Sequence, residues 1–203
     1  MISIDTKRLH LRNVLQNDVH VMFDYRNNEI CARYQRGQTK DFGEILNIIE
    51  HRKNDEISID SPCMIAVALK ETNEMIGEIV VKPKDNTISL GYTFSYKYHR
   101  RGYAFEALTV LHEHLHKIAP EWEFISFTEC ENIASIELLK KLGYKNLGYV
   151  PSTIDGQRLS SEDAIAEYIA SMLLLETDPV FYISYDGVYT TGGTDYYEFR
   201  CHR

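Results

Sequence analysis

The sequence predicts an α/β fold of the α+β type, in which a mixed, mostly antiparallel sheet is flanked by helices. Strand-like and helix-like segments alternate unevenly, without the regular spacing of repeated βαβ units. Polar turn residues at Thr72-Asn73 and at 84–86 join neighbouring strand segments as hairpins, which favours antiparallel pairing. A third observation is a strand that runs through a basic, glycine-containing turn at Gly102 into a long helix. We therefore expect helices packed on a sheet built mainly from hairpins.

The first half of the chain predicts four strands and two helices. Asn17-Asp18 supplies an N-cap for a helix that extends to about Arg26. Apolar residues at helical spacing predict the second helix at 39–52. Apolar runs and alternating patterns predict the strands, at 8–14, 64–69, 75–81 and 87–96.

The second half of the chain adds a long connection before its last strands. Its predicted elements are a helix at 102–118, a strand at 124–130, a helix at 134–142 and a strand at 144–150. A capped start at 160–163 and an apolar stripe predict a helix inserted within 151–178. Strand patterns around Gly192-Gly193 predict a closing hairpin within 179–201. Three roles stay open for the insertion: packing on the edge of the core, a lid over the site, or a homodimer contact.

Composition narrows the class of protein. With 203 residues, 44% apolar and 26% charged, the chain is typical of soluble globular proteins. No apolar run reaches the length of a membrane span, and the N-terminus lacks a signal peptide pattern. Four scattered cysteines favour reduced thiols, and a net charge of −8 disfavours nucleic-acid binding. We expect a cytoplasmic protein with neither nucleic acid nor membrane as a partner.

The turn at 99–104 has the chemistry of a phosphate cradle. A helix start offers unpaired backbone N–H groups and a partial positive charge. Gly102 and Ala104 keep the turn free of bulk, and Arg100 and Arg101 add donors suited to phosphate. Taken alone, the same residues also suit an ordinary solvated turn.

Two further segments identify the cradle with a family. The run Asn132-Ile133-Ala134-Ser135 is followed by a short helix that ends before Gly143-Tyr144, and the chain opens with Thr6-Lys7-Arg8-Leu9-His10-Leu11-Arg12. Together with the turn, these segments resemble the GNAT superfamily of acyl-CoA N-acyltransferases, most closely the branch of the ribosomal-protein alanine N-acetyltransferases. The turn matches that family's (Gln/Arg)-x-x-Gly-x-(Gly/Ala) pattern, except that His99 stands at its first position. The resemblance covers residues 5–150, and we expect 1–203 to form a single N-acetyltransferase domain.

The resemblance implies acetyl-CoA as cosubstrate, no metal, and a primary amine as acceptor, either a protein N-terminus or a small amine. It also implies that the strands at 87–96 and 124–130 splay apart to admit the pantetheine arm, and that the two early helices border the acceptor cleft. A backbone N–H near residues 94–96 would then stabilise the oxyanion. The cofactor-binding residues expected on this basis are Phe94, Ser95, Tyr96, Arg100, Arg101, Gly102, Tyr103, Ala104, Phe105, Asn132 and Ser135.

Catalytic candidates follow from the same resemblance. Ser135 would hydrogen-bond the departing thiolate or relay a proton, although Asn132 or Ser135 also suits a helix cap. Many family members carry a tyrosine acid where this chain has Leu139. Glu78 is the candidate base and Glu129 a second, each with the alternative of a solvent-facing strand residue. The missing tyrosine leaves a non-catalytic acyl-CoA-binding sensor or scaffold as the alternative function.

Two features of the helix at 102–118 have more ordinary interpretations. His112 and His116 share a helix face, but no His-Glu-x-x-His pattern accompanies them, so a solvated face is preferred to a metal site. Glu106 lies in the first turn, where its charge compensates the helix dipole.

Overall fold

The computed structural model describes residues 1–35, 38–129, 131–150 and 196–201. Two short 3₁₀ turns, Gln16–Asp18 and Tyr96–Tyr98, precede α1 and α4. The helices are α1 (Val19–Asn27), α2 (Glu29–Ala32), α3 (Phe42–Arg52), α4 (Tyr103–Ile118) and α5 (Ile133–Lys141). The described strands are β1 (Ser3–Asp5), β2 (Leu9–Arg12), β3 (Cys63–Leu69), β4 (Met75–Lys84), β5 (Thr87–Phe94), β6 (Glu123–Glu129), β7 (Lys145–Val150) and β8 (Tyr196–Cys201).

The described strands form one mixed sheet in the order β1-β2-β3-β4-β5-β6-β8-β7. Every neighbouring pair is antiparallel except β5 and β6, which are parallel. The parallel connection is made by α4, as expected for a crossover that must return to the same edge. The predicted fold class, a mostly antiparallel sheet flanked by helices, is confirmed.

The pairing between β5 and β6 ends early. Only Thr87, Ile88 and Ser89 have partners in β6, at residues 123–125. Beyond that point β5 stays paired with β4 as far as Phe94, while β6 stays paired with β8. The two strands thus share a sheet at one end and separate at the other, which matches the predicted splay.

Apolar side chains alternate between the two faces of the sheet and form a core on each. On one face, Ile65 and Val67 of β3 belong to a cluster with Leu108 and Leu111 of α4. On the other face, Met64 and Ala66 of the same strand belong to a cluster formed with α1 and α3, which includes Met22, Tyr25, Ile45 and Ile49. This alternation is the two-residue period of a strand covered on both sides.

Several element boundaries differ from the sequence predictions. β1 and α2 were not predicted, because three and four residues are too few to show a period. α3 begins at Phe42 rather than Thr39, since the Asp41 side chain caps it by accepting from the Glu44 N–H. The predicted closing strand at 196–200 is confirmed as β8, whereas the predicted helix within 151–178 and the strand at 180–185 lie outside the described residues.

Asp18 does not cap α1 as predicted. Its carboxylate accepts instead from the Leu15 N–H at 2.7 Å and from the Arg12 guanidinium at 2.7 and 3.0 Å. Both side chains of this ion pair are buried. Because a buried carboxylate needs a paired charge and several donors, Asp18 stabilises the connection from β2 to α1 rather than the helix start.

His112 is not on a solvated face. It is 1% exposed and packs against the rings of Phe124 and Tyr144. Its Nδ1 lies 2.6 Å from the Leu108 carbonyl, so that nitrogen carries the proton and donates. Nε2 therefore accepts from the Tyr144 hydroxyl at 2.5 Å. Through these two hydrogen bonds, His112 connects α4 to the residue that precedes β7. Its role in the structure is therefore packing and hydrogen bonding in the core.

Glu106 has specific partners in addition to the helix dipole. Its carboxylate accepts from the Thr6 hydroxyl at 2.6 Å and from the Arg8 backbone and Nε at 2.9 and 2.6 Å. Burial alone would raise the pKa of Glu106, but these hydrogen bonds and the Arg8 charge outweigh it and lower the pKa. The opening segment of the chain is thereby fastened to the first turn of α4.

Gly77 is predicted to tolerate no side chain, because a Cβ there would lie 2.6 Å from the Thr93 carbonyl oxygen and 2.7 Å from the Phe94 ring. We expect Gly77→Ala to lower the free energy of unfolding by about 1–3 kcal/mol, as overpacking commonly does. Gly91→Ala is the matched control on the adjacent strand, since nothing lies within 4 Å of its Cβ position. Denaturant unfolding measures both variants, and equal stability of the two would contradict the close approach of β4 to β5.

Candidate active site

The end of β5 that has separated from β6 forms one wall of a cavity of about 760 Å³. It extends from the turn before α4 to the N-terminus of α5 and reaches Cys31 of α2. The predicted cofactor residues that line it are Phe94, Arg100, Gly102, Tyr103, Ala104, Phe105, Asn132 and Ser135. Three others, Ser95, Tyr96 and Arg101, are not part of its lining. We call this cavity the cleft.

The turn that closes one end of the cleft has an unusual backbone. Arg100 and Gly102 both have positive φ, at 63° and 79°. Such left-handed residues next to right-handed ones direct neighbouring N–H groups toward a common point, a concavity that binds anions. For Arg100 the conformation costs free energy, which is typical of functional sites. The first N–H groups of α4 follow directly, so the turn and the helix start present donors together.

Arg8 contacts this turn and stabilises it. Its Nη1 donates to the Arg101 carbonyl at 2.9 Å, and its guanidinium lies 4.4 Å from the centre of the Tyr103 ring. Because Arg8 is also paired with Glu106, the opening motif, the turn and α4 are joined through one side chain. In the sequence, the opening motif and the turn that leads into α4 are separate segments, and in the structure Arg8 brings them into contact.

His99, the residue that departs from the family pattern, makes a hydrogen bond to the backbone of β5. Its Nε2 donates to the Phe94 carbonyl at 2.8 Å. The same carbonyl accepts from the Cys31 thiol at 3.4 Å. Burial raises the pKa of the Cys31 thiol, so it acts as a donor. Two side chains therefore satisfy a backbone oxygen that β6 does not reach.

The backbone register decides which amide near the end of β5 faces the cleft. The Ser95 N–H donates to the Ile76 carbonyl at 2.8 Å and is thus engaged with β4. In an antiparallel ladder, successive residues direct their backbone groups to opposite neighbours. The Phe94 N–H therefore faces the side that β6 has left. Of the three candidate oxyanion donors, the geometry favours Phe94 and excludes Ser95.

Asn132 and Ser135 have separate roles in the structure. The Asn132 side chain caps α5 by accepting from the Ser135 N–H at 3.2 Å. The Ser135 hydroxyl takes no part in this cap and lies 2.7 Å from the Tyr92 hydroxyl. The helix cap predicted for Asn132 or Ser135 is thus formed by the Asn132 side chain, and the Ser135 hydroxyl is not part of it.

Tyr92 contacts the Ser135 hydroxyl and lines the cleft, and the sequence analysis did not single it out. It lies on β5 beyond the last residue paired with β6, and its carbonyl accepts from Gln35 Nε2 at 3.1 Å. Burial raises the pKa of its hydroxyl to about 12, against the opposing effect of the hydrogen bond with Ser135. The hydroxyl is therefore protonated throughout the physiological range.

A second cavity of about 810 Å³ adjoins the cleft on the other side of Tyr92. It is bordered by α1, α3, β4 and β5, and its lining includes Tyr92 and Thr93, which also line the cleft. We call it the acceptor cavity. Glu78 lies in its wall, as expected for the candidate base, whereas Glu129 lines neither cavity.

The solvent-facing interpretation of Glu78 and Glu129 is wrong, since they are 2% and 5% exposed. Arg26 of α1 covers Glu78 and donates from Nη2 to both carboxylate oxygens at 2.9 Å. Burial alone would lower the pKa of the Arg26 guanidinium. The neighbouring Glu78 has the opposite effect, and on balance the pKa is raised. Gln38 Nε2 donates to the same carboxylate at 2.7 Å. Glu78 is thus a buried carboxylate held by side chains from two directions.

Among the described residues, no three His, Cys, Asp and Glu side chains come together as a metal site. No helix in the same ranges has the length and apolar character that crossing a membrane requires.

Known proteins resemble this chain in sequence and fold. The chain is 25% identical over 155 residues to YnaD of Bacillus subtilis, named an uncharacterized N-acetyltransferase, which covers 75% of this chain and 88% of that protein. A GNAT-family acetyltransferase from Bacillus anthracis shares the fold with a TM-score of 0.72 and 18% identity, over 99% and 98% of the two chains. The ribosomal-protein-S5-alanine acetyltransferase of Vibrio fischeri gives a TM-score of 0.66 at 13% identity, over 100% and 97%.

The family itself is shown by a family model, that of the acetyltransferase (GNAT) domain, which matches residues 8–145. This match includes β2 to α5, and so all the elements that form the cleft. The protein is therefore an acetyltransferase of the GNAT family.

Proposed function

We propose that the protein transfers the acetyl group of acetyl-CoA directly to a primary amine. The observation that carries this proposal is the meeting of two cavities at the gap in the sheet. One cavity begins at an anion-binding turn and the other contains a buried carboxylate, and Tyr92 and Thr93 line both. A donor and an acceptor bound from opposite sides would meet there, which is the arrangement that direct transfer requires.

The residues of the cleft fit the parts of acetyl-CoA. The pyrophosphate would lie on the N–H groups after Gly102, with Arg100 as a charged donor. The pantetheine arm would run between β5 and β6, where backbone groups have no strand partner. The thioester would then lie near the Phe94 N–H, which stabilises the oxyanion as the acceptor nitrogen attacks.

Gln38 supports an amine as the acceptor. Its Nε2 donates to Glu78 and to the Thr93 hydroxyl, which fixes the orientation of the amide because Oε1 would be repelled by the carboxylate. Oε1 is buried and has no hydrogen-bond partner among the described residues. A buried acceptor without a donor costs free energy, and a bound amine supplies N–H donors that satisfy it.

Two kinds of amine are candidates for the acceptor. The Vibrio fischeri neighbour carries a ribosomal-protein alanine in its name, which supports a protein N-terminus. The acceptor cavity of about 810 Å³ has a mixed lining of acidic, basic and amide side chains, which supports a small polar amine. A panel of peptides and small amines, assayed by CoA release, separates the two.

We also propose that the protein works as a cytoplasmic enzyme without nucleic acid or a membrane as partner. Among the described residues, Cys31 and Cys63 are free and buried thiols, as expected for a reducing compartment. The proposed homodimer contact falls on the insertion at 151–178, outside the described residues.

Gly102→Val is expected to weaken CoA binding by about tenfold or more, since a side chain at φ 79° strains the turn whose N–H groups would hold the phosphate. Gly143→Val is the matched control, because Gly143 has a similar φ of 93° and lies away from the cleft. Thermal shift with CoA measures both, with ATP as the competing nucleotide. Equal CoA affinity of Gly102→Val and the wild type would refute the phosphate site.

Glu78→Gln is expected to lower turnover by on the order of 10²-fold, if Glu78 takes the proton from the acceptor amine. The same change leaves Arg26 buried without its counter-charge, which costs about 3–5 kcal/mol. The double variant Glu78→Gln with Arg26→Met removes both charges, so it should regain stability but not turnover. A double variant with the wild-type rate and pH profile would eliminate Glu78 as the base.

A further inference from the structure

The contact between Tyr92 and Ser135 spans the gap in the sheet. Tyr92 belongs to β5 and Ser135 to α5, which follows β6, so their hydroxyls meet 2.7 Å apart where the two strands have separated. Both residues line the cleft. In the described part of the chain, this hydrogen bond is the one that links side chains of β5 and α5.

The direction of this hydrogen bond decides what Ser135 can do. A phenol is a stronger acid than an aliphatic alcohol, so the Tyr92 hydroxyl is the better donor and Ser135 Oγ the better acceptor. Ser135 then keeps its own proton for a third group. The Asn132 cap uses the Ser135 backbone and not its hydroxyl, so that proton is not needed for the helix.

We propose that Tyr92 is a positioning residue that donates to Ser135 Oγ and thereby directs the Ser135 proton toward the sulfur of the departing CoA. The inference rests on the proposed function. The C–N bond forms first and gives a tetrahedral oxyanion, whose collapse breaks the C–S bond and releases the thiolate, while the nitrogen gives its proton to Glu78 or water. Ser135 holds the thiolate by a hydrogen bond without losing its proton, because a thiol has a far lower pKa than an alcohol. Leu139 has no hydroxyl that could assist departure of the thiolate. Tyr92, on β5, assists this step instead by orienting Ser135.

A double-mutant cycle tests whether Tyr92 acts through Ser135. Tyr92→Phe and Ser135→Ala are each expected to lower kcat about tenfold while the KM for acetyl-CoA stays within about twofold, since the lost contact is made with the leaving group. The double variant should be no slower than Ser135→Ala alone. Tyr144→Phe is the matched control, because it removes another buried tyrosine hydroxyl that lies outside the cleft, and its kcat should equal that of the wild type.

Two kinetic outcomes would overturn the inference while the wild type remains active: an unchanged kcat for Tyr92→Phe, or losses that multiply in the double variant. A wild type that releases no CoA with any amine would instead overturn the proposed function and the inference with it. Should Tyr92→Phe not fold, a fluorinated tyrosine at position 92 keeps the geometry and lowers the phenol pKa. The rate should then decline at lower pH than in the wild type, and an unshifted alkaline limb would count against Tyr92.

Discussion

The separation of β6 from β5 after three paired residues is the constraint on which the rest of the site depends. Each strand keeps its other neighbour, so the sheet is continuous at one end and open at the other. Backbone groups of β5 that would have joined a ladder are left to side chains and ligands, because buried polar groups must find partners. The opening also lets the two cavities meet and lets Tyr92 reach Ser135 on the far side.

Side chains from distant parts of the chain hold the walls of this opening. Gln35 and His99 donate to the carbonyls of Tyr92 and Phe94, in place of the missing strand. At the phosphate end, Arg8 joins the turn to Glu106 of α4. These contacts prepare the cleft before a ligand arrives, and preorganised donors lose little free energy when charge develops on the substrate.

The sequence predicted those parts of the site that depend on local chain geometry. Gly102 and the Asn132–Ser135 motif were identified because a turn and a helix cap are determined by a few neighbouring residues. Tyr92 was missed because its role depends on a hydroxyl 43 residues away. The solvent-facing alternative for Glu78 and the solvated face assigned to His112 were wrong, since periodicity cannot show that a second layer covers the face. For Glu78, that layer is Arg26 of α1.

Residue-level amide hydrogen exchange with and without CoA tests most directly the claim that the gap between β5 and β6 is the cofactor site. CoA should slow exchange at the Phe94 amide and at the amides of residues 102–105, whereas ATP at the same concentration should leave the Phe94 amide unchanged. This pattern would place the ligand along both the turn and the open end of β5. Protection confined to other elements, or no protection at Phe94 when CoA saturates the protein, would contradict the account.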